Sequence, residues 1–131
     1  MRLILPITLL LIGVNFVATD STKTIASKPK IIYGTASFYA NSFNGKRTAN
    51  GETFSQKKMT AACNVLPLGT WIRVTNLRNG RSVLVRTNDR LHARMKRVVD
   101  LSRSAAEKLN YVKSGLTQVK VEVLGKTKPE E

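Results

Sequence analysis

The chain has 131 residues, with 22 Lys and Arg against 8 Asp and Glu, a formal charge of +14, one histidine and one cysteine. Compact domains most often run to about 100–150 residues, so the length allows one domain at most. A lone Cys63 excludes an intramolecular disulfide and a cysteine-built zinc cluster, and His92 alone cannot supply the missing metal ligands. With 42% hydrophobic residues the chain can build a core, and the regularly spaced Val, Ile and Leu from Ile31 to Leu124 set it apart from a disordered basic tail.

Residues 1–18 read as a secretory signal. Arg2 precedes an apolar run from Leu3 to Val14, and the small residues Ala18, Thr19 and Ser21 follow it. The run is shorter than the roughly 20 apolar residues a bilayer-spanning helix needs, and no cysteine stands at its end to take a lipid. The expectation is therefore an exported protein, periplasmic or extracellular, not a lipoprotein, with no stable membrane insertion once the signal is cut. A retained N-terminal anchor is the plainer alternative. Cleavage after Ala18 removes only Arg2 from the charged residues, so the exported chain stays strongly cationic. Residues 19–30, rich in Ser, Thr and Lys, read as a linker, 31–125 as the folded domain and 126–131 as a tail.

Within that domain Ile32 to Tyr39 reads as a first strand, and turn chemistry at Asn44-Gly45 and Asn50-Gly51 breaks the region after it. The alternation Trp71-Ile72-Arg73-Val74-Thr75 and the β-branched run Arg81 to Arg86 are strands. Between them Leu77-Arg78-Asn79-Gly80 sets Asn-Gly where a tight hairpin needs positive φ. A short strand follows at Val98 to Leu101. A single helix runs from Ser102 to Leu109, capped either by Ser102 or by Ser104 and Glu107 at capping-box spacing. The last strand, Thr117 to Leu124, sets Val119, Val121 and Val123 on one face and Gln118, Lys120 and Glu122 on the other. Strands dominate, so the architecture is a small closed or nearly closed β-barrel.

Several phrases go beyond pattern. Gly34-Thr35-Ala36-Ser37-Phe38-Tyr39, Arg47-Thr48-Ala49-Asn50-Gly51-Glu52, Met59-Thr60-Ala61-Ala62, Leu66-Pro67-Leu68-Gly69-Thr70, Arg73-Val74-Thr75-Asn76-Leu77, Asn79-Gly80-Arg81-Ser82-Val83, Asn88-Asp89-Arg90 and Val99-Asp100-Leu101-Ser102 stand in this order. Together they resemble the rare lipoprotein A family of septal-ring lytic transglycosylases, related to the expansin and barwin barrels. The resemblance covers about Tyr33 to Leu124. It implies a mainly β fold, a six-stranded double-psi β-barrel with one short helix. It also implies a groove for peptidoglycan glycan strands, with neither cofactor nor metal.

The chemistry that the resemblance implies is cleavage between N-acetylmuramic acid (MurNAc) and N-acetylglucosamine (GlcNAc). The muramic 6-hydroxyl attacks in place of water and leaves a 1,6-anhydro end. One acid must protonate the leaving oxygen and one base must take the hydroxyl proton, and a single carboxyl can do both in turn. Asp89 matches the family's catalytic aspartate, and Glu52 is the candidate second carboxyl. Tyr39, Thr48, Asn50, Arg90 and Cys63 are the candidate substrate contacts. The sequence departs from the family pattern twice: Thr60-Ala61-Ala62 is followed by Cys63 where the family has histidine, and Asn88-Asp89-Arg90 is followed by Leu91-His92-Ala93 in place of Gly-Pro-Phe. A thiol cannot stand in for imidazole without strong perturbation. His92 is either a replacement partner for Asp89 or an exposed loop residue.

Arg86, Arg90 and Arg94 lie close to Asp89 in sequence, and nearby cations favour an ionised carboxylate. The positive charge also suits an anionic glycan whose stripped peptides leave lactyl carboxylates exposed. Nucleic acid is the generic partner of a basic chain, and export argues against it. Two readings stand: a transglycosylase acting on peptide-poor glycan at the division site, with a division-site protein as a further partner, and a non-catalytic, expansin-like module that binds or loosens wall polymers.

Overall fold

The computed structural model describes residues 30–130, and the expected signal and all of the linker except Lys30 lie outside the described residues. Eight segments of regular structure follow one another: β1 (Ile31–Phe38), a 3-10 turn (Asn41–Phe43), β2 (Thr60–Ala62), β3 (Trp71–Asn76), β4 (Ser82–Asp89), β5 (Val99–Leu101), α1 (Arg103–Lys108) and β6 (Thr117–Gly125). The strands close into a barrel in the order β1-β5-β2-β4-β3-β6. β1 runs parallel to β5 and β2 parallel to β4, while the remaining neighbours are antiparallel. Closure leaves no free sheet edge to pair with another chain.

The alternation in the sequence is the alternation of burial. Ile72 and Val74 of β3, Val83 and Val85 of β4, and Val119 and Val121 of β6 fill the interior with Val99 and Leu101 of β5. Arg73, Thr75, Lys120 and Glu122 turn outward, where Arg73 and Lys120 both reach Glu122. Val123 is only half-buried against this core, so the last strand loses its inward face near its end. The strand Thr60–Ala62 is the one that periodicity does not show. Its residues are all buried and small, and it is hydrogen-bonded on both sides, to β4 and β5, so nothing alternates.

Two local features differ from the sequence expectation. The β3–β4 connection is not a two-residue turn: Gly80 alone takes positive φ (75°), and Asn79 does not. Asn76 closes a longer loop, its N–H donating to the Arg81 carbonyl and its carbonyl accepting from Gly80 N, both at 2.8 Å. The reason is tertiary. Asn76 is buried, its Nδ2 donates to the Leu109 carbonyl (2.8 Å), and its Oδ1 accepts from Thr117 Oγ1 (2.8 Å) and Arg78 N (3.0 Å). The helix is capped by Ser102, whose Oγ accepts from Ala105 N. The Ser104–Glu107 alternative does not form, because Glu107 instead pairs with Arg103.

Gly34 is required by packing. A Cβ there would lie 2.9 Å from both Cβ and Cγ1 of Val98. Gly34→Ala is expected to destabilise the barrel by about 1–3 kcal/mol through this overlap, measured as the shift in urea unfolding at constant m-value.

Candidate active site

Three adjacent strands place a pair of carboxylates on one cavity wall. Ala62 of β2 is in register with Asp89 of β4 on one side and with Asp100 of β5 on the other. Strand spacing puts the two aspartate Cα atoms about 10 Å apart. All three residues line a cavity of about 540 Å³ together with Phe38, Tyr39, Phe43, Leu91, His92, Met95 and Arg97. The small Ala62 side chain leaves the floor open between the acids.

Among the described residues Asp89 is held entirely by neutral donors. Its Oδ2 accepts from the Tyr39 hydroxyl at 2.6 Å, and its Oδ1 accepts from the backbone N–H groups of Ala49 and Arg90, each at 2.9 Å. The two oxygens therefore differ in what they can do. Backbone N–H groups only donate, so Oδ1 stays an acceptor, whereas a phenol both donates and accepts and can face Oδ2 whether or not that oxygen carries a proton. Tyr39 itself is mostly buried. Its ring stacks on Phe54 at 4.0 Å and meets Phe43 edge-on at 5.7 Å. Burial, then the contact with Asp89, raises the phenol well above its ordinary value near 10, so it keeps its proton.

The arginines beside Asp89 in sequence are directed elsewhere. Arg86 pairs with Glu52 through Nη2, at 2.6 and 2.8 Å to the two carboxylate oxygens. Arg90 Nη1 donates to the carbonyls of Cys63 and Leu66, both at 2.5 Å. Arg94 is exposed, and its backbone N–H donates to His92 Nδ1 at 3.3 Å. Among the described residues no ion pair involves Asp89, while Glu52, Asp100, Glu107 and Glu122 each have a cationic partner.

The structure places the other candidates differently from one another. Glu52 lies outside the cavity lining, and the hydrogen bonds from Arg86 hold its carboxyl below the ordinary 4.5 despite partial burial. Cys63 is not a groove residue. Its side chain is fully buried in the apolar core, and what it offers the site is backbone, its N–H donating to the Asp89 carbonyl at 3.0 Å. Thr48 and Asn50 are spent on their own loop, where Thr48 Oγ1 donates to Asn50 Oδ1 at 2.6 Å and Asn50 Nδ2 donates to Glu52. Tyr39 and Arg90 do line the cavity, Tyr39 through the hydroxyl that meets Asp89 and Arg90 as a clamp on the 63–66 turn. His92 is exposed at the cavity rim.

Sequence reasoning did not single out Asp100. Arg97 grips it through Nε (2.9 Å) and Nη2 (3.1 Å), a two-pronged pair whose carboxylate side chain is only 15% exposed. The available signal was an acid inside a β-branched strand with an arginine three residues before it. Among the described residues no group of three His, Cys, Asp or Glu side chains is placed to hold a metal ion.

A closed six-stranded barrel with two parallel strand pairs and an acid at the end of β4 is the double-psi β-barrel class. The chain belongs to the lytic transglycolase family, whose model matches residues 31–121. Among curated relatives, the endolytic peptidoglycan transglycosylase RlpA of Pseudomonas aeruginosa (strain UCBPP-PA14) is 55% identical over 89 residues, 68% of this chain and 26% of that protein. The chain spans 26% to 37% of the length of its curated relatives from Pseudomonas, Campylobacter and Synechocystis. Two solved structures share the fold: the Streptomyces papain inhibitor (TM-score 0.61, 19% identity, 75% of this chain and 97% of that one), and apo expansin from Clavibacter michiganensis (TM-score 0.61, 18% identity, 78% and 53%).

The lowered Glu52 carboxyl has a consequence for acid stability. A depressed folded-state value stabilises the fold above the unfolded-state value and is lost as pH falls through the folded one. Below about pH 4.5 the wild type is therefore expected to lose stability faster than Glu52→Gln, checked by urea midpoints at pH 5.5 and pH 3.

Proposed function

We propose that this chain is an endolytic peptidoglycan lytic transglycosylase, cleaving MurNAc–GlcNAc bonds of peptide-poor glycan strands to leave 1,6-anhydro-MurNAc ends. The observation that carries this reading is the environment of Asp89: a carboxylate at a cavity wall, in a strongly cationic chain, bonded among the described residues only to neutral groups. A carboxyl that must gain and lose a proton in one cycle works best without a fixed cation beside it.

In the proposed cycle Asp89 gives a proton from Oδ2 to the glycosidic oxygen, and the bond from that oxygen to muramic C1 breaks. Positive charge develops at C1. Asp100, kept in place by Arg97 across Ala62, faces that charge as a fixed anion. The muramic 6-hydroxyl then attacks C1 and its proton returns to Asp89 Oδ2, so no water is consumed. The half-exposed Phe43 ring, edge-on to Tyr39 and with Lys46 Nζ 5.5 Å from its centroid, adds an apolar surface for a sugar at the cavity. The proposed place of action is outside the inner membrane, a reading supported by Arg2 and the apolar run from Leu3 to Val14.

The test is digestion of peptide-free glycan strands by the purified protein, with anhydro-muramic ends read by mass spectrometry. Asp89→Asn, which keeps the shape but cannot cycle a proton, is expected to lower the rate about 100-fold or more. Asp100→Asn is expected to lower kcat about 10-fold or more with little change in KM. A wild-type protein that binds the strands and produces no anhydro ends overturns the catalytic reading in favour of a wall-binding module.

A further inference from the structure

We propose that Arg86 is a positioning residue for Asp89, acting through Glu52 and the 48–52 loop. The part of this inference that concerns turnover rests on the function proposed above; the part that concerns geometry does not. Arg86 sits on β4, the strand that ends in Asp89, and its guanidinium takes both oxygens of Glu52 at 2.6 and 2.8 Å. Glu52 is the closing residue of a loop that is knotted to itself. Its carbonyl accepts from Thr48 N (2.8 Å), its N–H donates to Asn50 Oδ1 (3.0 Å), its carboxylate accepts from Asn50 Nδ2, and Gly51 N donates back to the Thr48 carbonyl (3.0 Å).

A loop so tied moves as one piece, and it is fastened to β4 at three points. Arg86 holds Glu52, the Asn88 carbonyl accepts from Asn50 N at 3.2 Å, and Asp89 Oδ1 accepts from Ala49 N at 2.9 Å. The first fastening is an ion pair in which one guanidinium nitrogen meets both carboxylate oxygens, and both side chains are more than half covered, with relative exposures of 29% and 35%. The other two are single hydrogen bonds. Geometry therefore assigns Arg86 the task of holding the loop so that the Ala49 N–H points at Asp89. That is a reason for an arginine at the end of β4 beside an acid it does not touch. It also gives Glu52 a place in the site that needs no proton transfer from it.

The inference predicts what happens to Asp89 when Arg86 is changed and Asp89 is not. In Arg86→Gln and in Glu52→Gln the loop loses its ion pair, and the Ala49 N–H bond to Oδ1 weakens. Two readouts follow the loop without requiring turnover. The Ala49 amide resonance shifts, and its hydrogen exchange speeds up about 10-fold or more as its bond to Asp89 Oδ1 weakens. The double variant behaves like either single one, since both break the same tie. Arg86→Lys, which keeps a single charged donor at this point, restores part of the wild-type behaviour. Arg73→Gln, which breaks a pair with Glu122 on the outer face of the barrel, leaves both readouts unchanged.

On peptide-free glycan the Arg86→Gln variant is expected to lose about 10-fold in kcat with KM nearly unchanged. A folded Arg86→Gln protein whose Ala49 amide resonance and exchange rate match the wild type overturns the positioning role, whatever its activity. Changed NMR readouts in a wild-type background that makes no anhydro ends support the role of Arg86 and overturn only the transglycosylase reading.

Discussion

The hydrogen bonds that converge on Asp89 gather three distant stretches of chain around one pair of oxygens. Tyr39 comes from the end of β1, Ala49 from the loop that follows, and Arg90 from the residue after Asp89 itself. Each donor is placed by a different part of the barrel. The Tyr39 ring is set by Phe54 and Phe43, Ala49 by the self-bonded 48–52 loop, and the 90–92 backbone by Asn64, whose Oδ1 accepts from Leu91 N at 2.8 Å. Loss of the fold anywhere among these elements is loss of the carboxylate's geometry. This is the sense in which a barrel with a Val- and Ala-rich interior serves one side chain.

Charge is distributed with the same economy. A chain of net +14 would be expected to flood a lone aspartate with cations. Instead the nearest arginines are occupied: Arg86 by Glu52, Arg90 by two carbonyls of the 63–66 turn, and Arg97 by Asp100. Each of these contacts is structural in its own right, fastening a loop or a strand end. Their joint effect is to keep the cavity wall chemically asymmetric, with one acid tied to a cation and the other to neutral donors. In a proton-transfer site this asymmetry is what separates a fixed charge from a group that can change its own.

Cys63, where the family resemblance leads one to expect histidine, has a plain physical role in this fold. The side chain at this position faces the core, among residues such as Leu66, Val85 and Leu101, and a buried thiol behaves there as a small apolar group. The backbone of the same residue still serves the site, through its N–H to the Asp89 carbonyl and its carbonyl to Arg90. The departure from the family pattern is thus absorbed by packing, and the hydrogen bonds around Asp89 do not pass through the thiol.

Much of the barrel was legible from local pattern. Alternation in Trp71–Asn76 and Thr117–Gly125 and the β-branched run before Asp89 report which side of a strand faces an apolar interior, and that is a property of neighbouring residues alone. Ser102 as a helix cap was readable from local hydrogen-bonding chemistry, and an ordered set of phrases singled out Asp89, which lines the cavity. The strand Thr60–Ala62, the longer β3–β4 loop, the pairing of Glu52 with Arg86 and the approach of Asp100 to the cavity were not. Each depends on a partner many residues away: β4 and β5 flanking Ala62, Leu109 and Thr117 on Asn76, a guanidinium 34 residues beyond Glu52. Local sequence dictates which residues prefer to be inside and which turns are possible. Which carboxylate meets a cation and which meets a phenol is decided only when barrel closure brings separate strands within hydrogen-bonding distance.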